Sequence, residues 1–117
     1  MKFTVSLKDN RAFRRLYSKG RSAVAPAMVL YCRKNGRENS RLGLTVSTKL
    51  GGAVTRNKLR RRFREIYRLN EDKLLPGYDV VIVARTRAVN SRFRDLEREF
   101  LRLAKKVCIL REEETTP

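Results

Sequence analysis

The chain has no histidine and no tryptophan, only two cysteines and three prolines in 117 residues, and twelve acidic side chains against twenty-nine basic ones. Each shortage removes a class of chemistry. Without histidine, the commonest general base near neutral pH is missing. Cys32 and Cys108 lie far apart in sequence, and a zinc site built on them would lack ligands. Both thiols are expected to be reduced packing residues, since a free cysteine behaves as a small apolar side chain. Carboxylates are thinly spread: Asp9, Asp79 and Asp95 fall in separate segments, and Glu112, Glu113 and Glu114 cluster only near the end. No metal-binding carboxylate cluster for phosphodiester hydrolysis is therefore expected. No apolar run reaches the roughly 20 residues that a membrane-spanning helix needs, and the opening Met-Lys-Phe-Thr-Val-Ser-Leu-Lys-Asp has no signal-peptide core. These absences predict a cytoplasmic protein without a membrane partner and with no catalytic or metal-ligating residues of its own.

What is present is positive charge. A formal net charge of +17 repels itself in a compact state, so a polyanion is the expected partner, nucleic acid first. With 41% hydrophobic residues in periodic stretches, the chain differs from sequences too polar to fold. Its length suits one domain, expected over residues 1–111, with an acidic disordered tail at residues 112–117.

Asp9 is placed to cap a short helix carrying Ala12, Phe13, Leu16 and Tyr17 at helical spacing, and Gly20 to end it. Residues Ala27 to Arg33 read as a strand with Pro26 just ahead, and Asn35-Gly36 opens a turn. Residues Arg41 to Thr48 alternate, with Leu42, Leu44 and Val46 on one side and Gly43, Thr45 and Ser47 on the other. These two strands are expected to pair as a hairpin, while Arg21 to Ala25 is open to a further strand. A helix is expected from about Thr55 to Leu69, a turn at Pro76-Gly77, and a strand covered on both faces from Tyr78 to Ala84. A last helix beginning at Asn90 or Ser91 carries Phe93, Leu96, Phe100, Leu103 and Val107 as an apolar stripe. The expected class is α+β: a small α/β sandwich in the order αβββαβα, with helices packed on a mixed sheet of about four strands.

The middle helix holds the main functional signal. On a helical wheel, Leu59, Phe63, Ile66 and Tyr67 share one arc. Asn57, Arg60, Arg61, Arg64 and Arg68 share the opposite arc, with Arg56, Lys58 and Arg62 on the flanks. Seven of the fourteen residues from Thr55 to Arg68 are basic and only Glu65 is acidic, which sets Arg56 against Arg60 and Arg60 against Arg64 at i, i+4. Each such pair costs a few tenths of a kcal/mol. A merely solvated face gains from mixed signs and this one forgoes them, so polyanion contact is favoured over solubility alone. Arginine suits that contact because its planar fork grips phosphate oxygens in pairs and its guanidinium stacks on bases. Gly51-Gly52 lets an anion approach the positive end of the helix, although the segment does not match a nucleotide-binding P-loop.

The stretch Arg41-Leu-Gly-Leu-Thr-Val-Ser-Thr-Lys49-Leu-Gly-Gly-Ala-Val-Thr-Arg56-Asn57-Lys58-Leu-Arg-Arg-Arg-Phe-Arg64-Glu resembles the signature of the bacterial ribonuclease P protein family. There, a strand ending in a Val-Ser-x-Lys-like motif is followed by Gly-x-Ala-Val-x-Arg-Asn-Arg/Lys and a basic helix. Phe13 and Tyr17 before Gly20, the strand with Tyr31, and Tyr78-Asp-Val-Val-Ile-Val-Ala-Arg extend the resemblance over nearly the whole chain.

The resemblance implies a protein subunit that binds a catalytic RNA and the 5′ leader of precursor tRNA and aids removal of that leader. The RNA would be the catalyst and would hold most of the Mg2+, and no protein partner would be required. Lys49, Arg56, Asn57, Lys58, Arg60, Arg61, Arg64 and Arg68 would contact the catalytic RNA. Phe13, Tyr17, Met28, Tyr31 and Ser47 would form the cleft for the single-stranded leader, where aromatic faces suit bases of any sequence. Without the resemblance, Phe13 and Tyr17 read as core residues. Met28 stands where relatives often carry an aromatic, and Thr48 where a second basic residue is common. The resemblance also implies a left-handed crossover through the middle helix, against the usual hand. The competing readings are a ribosomal or other structural-RNA-binding protein without a processing role, and a protein-only nuclease.

Overall fold

The computed structural model describes residues 3–111; the acidic tail lies outside them. Eight regular elements follow in order: β1 (Thr4–Ser6), α1 (Asn10–Lys19), β2 (Arg21–Val24), β3 (Met28–Lys34), β4 (Ser40–Thr45), α2 (Ala53–Asn70), β5 (Tyr78–Ala84) and α3 (Phe93–Lys106). The strands form one five-stranded sheet in the order β1-β4-β5-β3-β2. β2 and β5 run antiparallel to β3, whereas β4 runs parallel to both β1 and β5. The sheet is thus mixed, and the class is α+β as expected, with one strand more than expected. The open segment Arg21 to Ala25 supplies β2, and the three-residue β1 was not anticipated.

The expected hairpin does not form. The strand carrying Tyr31 and the strand carrying Leu42 both pair with β5, which lies between them. The short turn at Asn35-Gly36 therefore spans the width of β5 before the chain returns in β4. Arg41 and Arg33 both register with Asp79. The carboxylate of Asp79 accepts from Arg41 at 2.7 and 2.6 Å and from Asn35 Nδ2 at 3.0 Å, so the one charge in a buried strand is fully engaged.

The sheet is covered on both sides, as the apolar run of β5 requires. Val80, Ile82 and Ala84 face the main core with Leu30, Leu59, Phe63, Ile66, Leu96, Phe100 and Leu103 from neighbouring strands and from α2 and α3. Val81 faces the other way, against Leu7, Ala12 and Leu16. α1 begins where Asp9 accepts from the Arg11 N–H at 2.9 Å and stops at Gly20, whose N–H donates to the Leu16 carbonyl. α3 starts at Phe93, later than expected, because residues Thr86–Asn90 form a 3-10 turn first. Cys32 is buried as expected, but Cys108 is exposed, in a positive-φ conformation just past α3, and is not a packing residue.

Candidate RNA interface

α2 is held down by its apolar arc. Leu59, Phe63, Ile66 and Tyr67 are almost completely buried, each contributing about 1.5–3 kcal/mol, which outweighs the few tenths lost per like-charge pair on the outer face. Tyr67 stacks edge-on against Phe100 at 6.2 Å and its hydroxyl accepts from Thr4 Oγ1. Asn70 bridges the Ile66 carbonyl and Glu97 of α3, which ties the end of the helix to its neighbour. The rotation of α2 about its axis is fixed by these contacts, so its polar arc points outward as a unit.

Asn57, Lys58, Arg61, Arg64 and Arg68 are exposed, while Arg56, Arg60 and Arg62 are half-buried. The side-chain bonds on this face are few. Arg56 donates to the Gly51 carbonyl at 3.2 Å, Arg60 to Asn57 Oδ1 at 3.0 Å, and Arg62 to the Ser91 carbonyl at 3.1 Å. Among the described residues there are two ion pairs, Arg41 with Asp79 and Arg68 with Glu65. Arg68 alone of the eight RNA-contact candidates is therefore neutralised within the protein, and its guanidinium holds the Glu65 carboxyl below its ordinary range. The other cations of this face form no ion pair with a described carboxylate.

The approach to α2 is a sharp corner. Ser47 accepts from the Lys49 N–H at 3.2 Å and starts a 3-10 turn, Thr48–Leu50. Gly51 follows at φ 142°, a conformation that favours glycine, and no side chain caps the first turn of the helix after Gly52. The first-turn N–H groups of α2 are thus left for an anion, with the exposed Lys49 close by in sequence.

The second candidate surface lies on the other side of the sheet, beside α1. The rings of Tyr17 and Tyr31 meet edge-to-face at 4.9 Å, and Phe13 lies 6.3 Å from Tyr17. Tyr17 is 42% exposed and its hydroxyl shares a 2.8 Å hydrogen bond with Thr45 of β4. Phe13 rests against Gly43 and Val81. Phe13 and Tyr17 thus combine both readings: Phe13 is half in the core, and Tyr17 offers ring surface to solvent. Ser47 stands exposed just beyond Thr45, at the end of the same strand.

Met28 does not belong to this cleft. It is fully buried in the main core, because it lies an odd number of residues from Tyr31 in β3 and so projects from the opposite face. Gly43 and Thr45, which line the cleft, were not among the expected residues, although their shared side of β4 was visible in the alternation.

Several carboxylates are engaged in structure elsewhere. Besides Asp9 and Asp79, Glu99 accepts from the Ala27 N–H and Glu71 from the Phe3 N–H. Among the described residues no three His, Cys, Asp or Glu side chains converge as a metal cage, and no helix is long and apolar enough to cross a membrane.

The family model for ribonuclease P matches residues 1–108. The chain belongs to the ribonuclease P protein family. It is 40% identical over 107 residues to the ribonuclease P protein component of Clostridioides difficile, covering 91% of this chain and 94% of that protein. Over 106 residues it is 41% identical to the component from Natranaerobius thermophilus, with 91% and 92% covered. The fold matches the Staphylococcus aureus RNase P protein with a TM-score of 0.82 at 29% identity, covering 93% of this chain and 98% of that one. It matches the Thermotoga maritima protein at 0.80 and 34% identity, covering 87% and 96%. As a member of this family, the chain is an RNA-binding, tRNA-processing subunit of an endoribonuclease, with an RNA as its partner in a ribonucleoprotein. The reading as a ribosomal protein is disfavoured by the same matches.

Proposed function

We propose that the outward face of α2, with Lys49, Arg56, Asn57, Lys58, Arg60, Arg61 and Arg64, docks on a catalytic RNA, and that Phe13, Tyr17 and Tyr31 receive the single-stranded 5′ leader of precursor tRNA. The observation that carries the reading is the row of α2 cations that, among the described residues, have no carboxylate partner, on a helix whose other face is locked into the core. Arginine forks meet phosphate oxygens, and the cations that dock release counterions from the RNA. The tyrosine edge-to-face pair supports the leader assignment, since exposed ring surface stacks on unpaired bases whatever their sequence.

In this reading the RNA cleaves and the protein positions. The Mg2+ is held mainly by RNA oxygens, consistent with the absence of a cluster of three metal-binding side chains among the described residues, and the protein acts by lowering phosphate repulsion and by holding the leader. Such a complex would work in the cytoplasm on newly made tRNA. The test is cleavage of precursor tRNA at low Mg2+ by the cognate RNA, with and without this protein. The protein is expected to restore cleavage that the RNA alone performs poorly, and to cleave nothing by itself. Cleavage by the RNA-free protein, or no gain on adding it, would defeat the reading.

A further inference from the structure

Where α2 meets the start of α3, a shallow groove of about 360 Å3 is lined by Lys58, Arg61, Arg62, Glu65 and Phe93. Its parts differ in freedom. Phe93 is the first residue of α3 and is half-buried, packed against the main core, so its ring is anchored while still lining the groove. Arg62 is pinned to the Ser91 carbonyl at 3.1 Å. Glu65, the one carboxylate among the lining residues, is clasped by Arg68 at 2.9 and 2.5 Å. Lys58 and Arg61 are exposed and form no ion pair with a described carboxylate.

An anchored aromatic ring with free cations beside it suits a nucleotide whose base has left its helix. The ring takes the face of the base, and the cations take the flanking phosphates. A base-paired segment has no free base face to offer. An acidic peptide would satisfy the cations and leave the ring unused.

We propose that this groove receives one unpaired base of the catalytic RNA, stacked on Phe93, with Lys58 and Arg61 on its neighbouring phosphates. The inference rests on the α2 docking proposed above, because Lys58 and Arg61 belong to that face. The leader is the poorer occupant, since Phe13, Tyr17 and Tyr31 lie across the sheet.

The test titrates the full chain with cognate catalytic RNA over a range of salt. Phe93→Leu keeps an apolar side chain on the core and removes the ring, Phe93→Met does the same with a more adaptable side chain, and Phe93→Tyr keeps the ring. Both ring-less variants are expected to bind about tenfold more weakly with an unchanged salt slope, and Phe93→Tyr within about twofold of the parent. A free single-stranded leader oligonucleotide should bind all of them equally. The proposal is overturned if the ring-less variants bind the catalytic RNA as the parent does, if Phe93→Tyr loses as much as they do, or if only leader binding suffers. Lys58→Ala and Arg61→Ala separate the two levels: weakened binding with a flatter slope upholds the docking of α2 even where Phe93 proves idle, and parent-like binding removes both.

Discussion

At Gly43, an added Cβ would lie 2.5 Å from Phe13 Cζ, 2.8 Å from its Cε1 and 3.2 Å from Val81 Cγ2. The ring of Phe13 therefore sits where it does because β4 carries no side chain there. Gly43→Ala is expected to push the ring aside, to cost about 1–3 kcal/mol by overpacking, and to weaken binding of precursor tRNA while leaving mature tRNA unaffected. Equal losses for both RNAs would separate Phe13 from leader binding. Cys32 allows a different check. Burial beneath α3 pushes its thiol from 9.0 up to about 11, against a smaller opposing pull from Arg21. The unfolded chain releases that proton earlier, so between these values the unfolded state binds fewer protons and stability falls as pH rises, by something on the order of 2 kcal/mol. Urea unfolding at about pH 8 and about pH 10.5 should show a smaller alkaline loss in Cys32→Ala than in the parent; an equal loss would mean that the thiol titrates normally. Single residues were legible where the rule is local, as with the Asp9 cap and the Gly20 stop. Met28 was misplaced despite a usable signal, the odd spacing from Tyr31, whereas the exposure of Cys108 depends on how the chain leaves α3, which no local pattern encodes.

Elements were legible in kind and less so in partnership. The periodicity of α2 and α3 and the alternation of β4 follow from apolar faces that must be buried, and all three appear. The pairing of β3 and β4 was misread because neighbouring strands usually pair, while here a strand from beyond α2 intercalates and buries both of its own faces. Three residues of β1 are too few to announce themselves. The charge pattern of α2, in contrast, was readable in outline: Asn57, Arg61, Arg64 and Arg68 are exposed as the wheel places them, whereas Arg60, placed on the same arc, is half-buried. Replacing Arg60, Arg61 and Arg64 together by Gln should leave the buried arc of Leu59, Phe63 and Ile66 intact and remove three phosphate contacts. Log affinity for the catalytic RNA against log salt should then flatten by about 2–3 units of slope. Unchanged slope in that titration would mean that these arginines face water in the complex.

The whole molecule sets the two surfaces proposed to face RNA on opposite sides of one sheet, joined at one end. Tyr17 is tied to Thr45 near the end of β4, and the chain then turns through Ser47 and Lys49 into α2. A leader lying in the cleft would thus run toward the anion-accessible start of α2, beside the RNA docked there. Arg61 and Arg64 stand further along, about 12–17 Å up the helix axis from Ala53, with the sheet between them and Tyr17. Contacts so far apart with no shared partner should act independently. In a double-mutant cycle read as precursor tRNA affinity of the assembled protein–RNA complex, Tyr17→Ala and the paired change Arg61→Gln with Arg64→Gln are expected to couple by less than about 0.5 kcal/mol. The first should lower precursor affinity without changing assembly, and the second should lower assembly without changing the preference for precursor over mature tRNA. A coupling well above that limit would mean that the leader reaches α2 itself, and that the two surfaces form one continuous track.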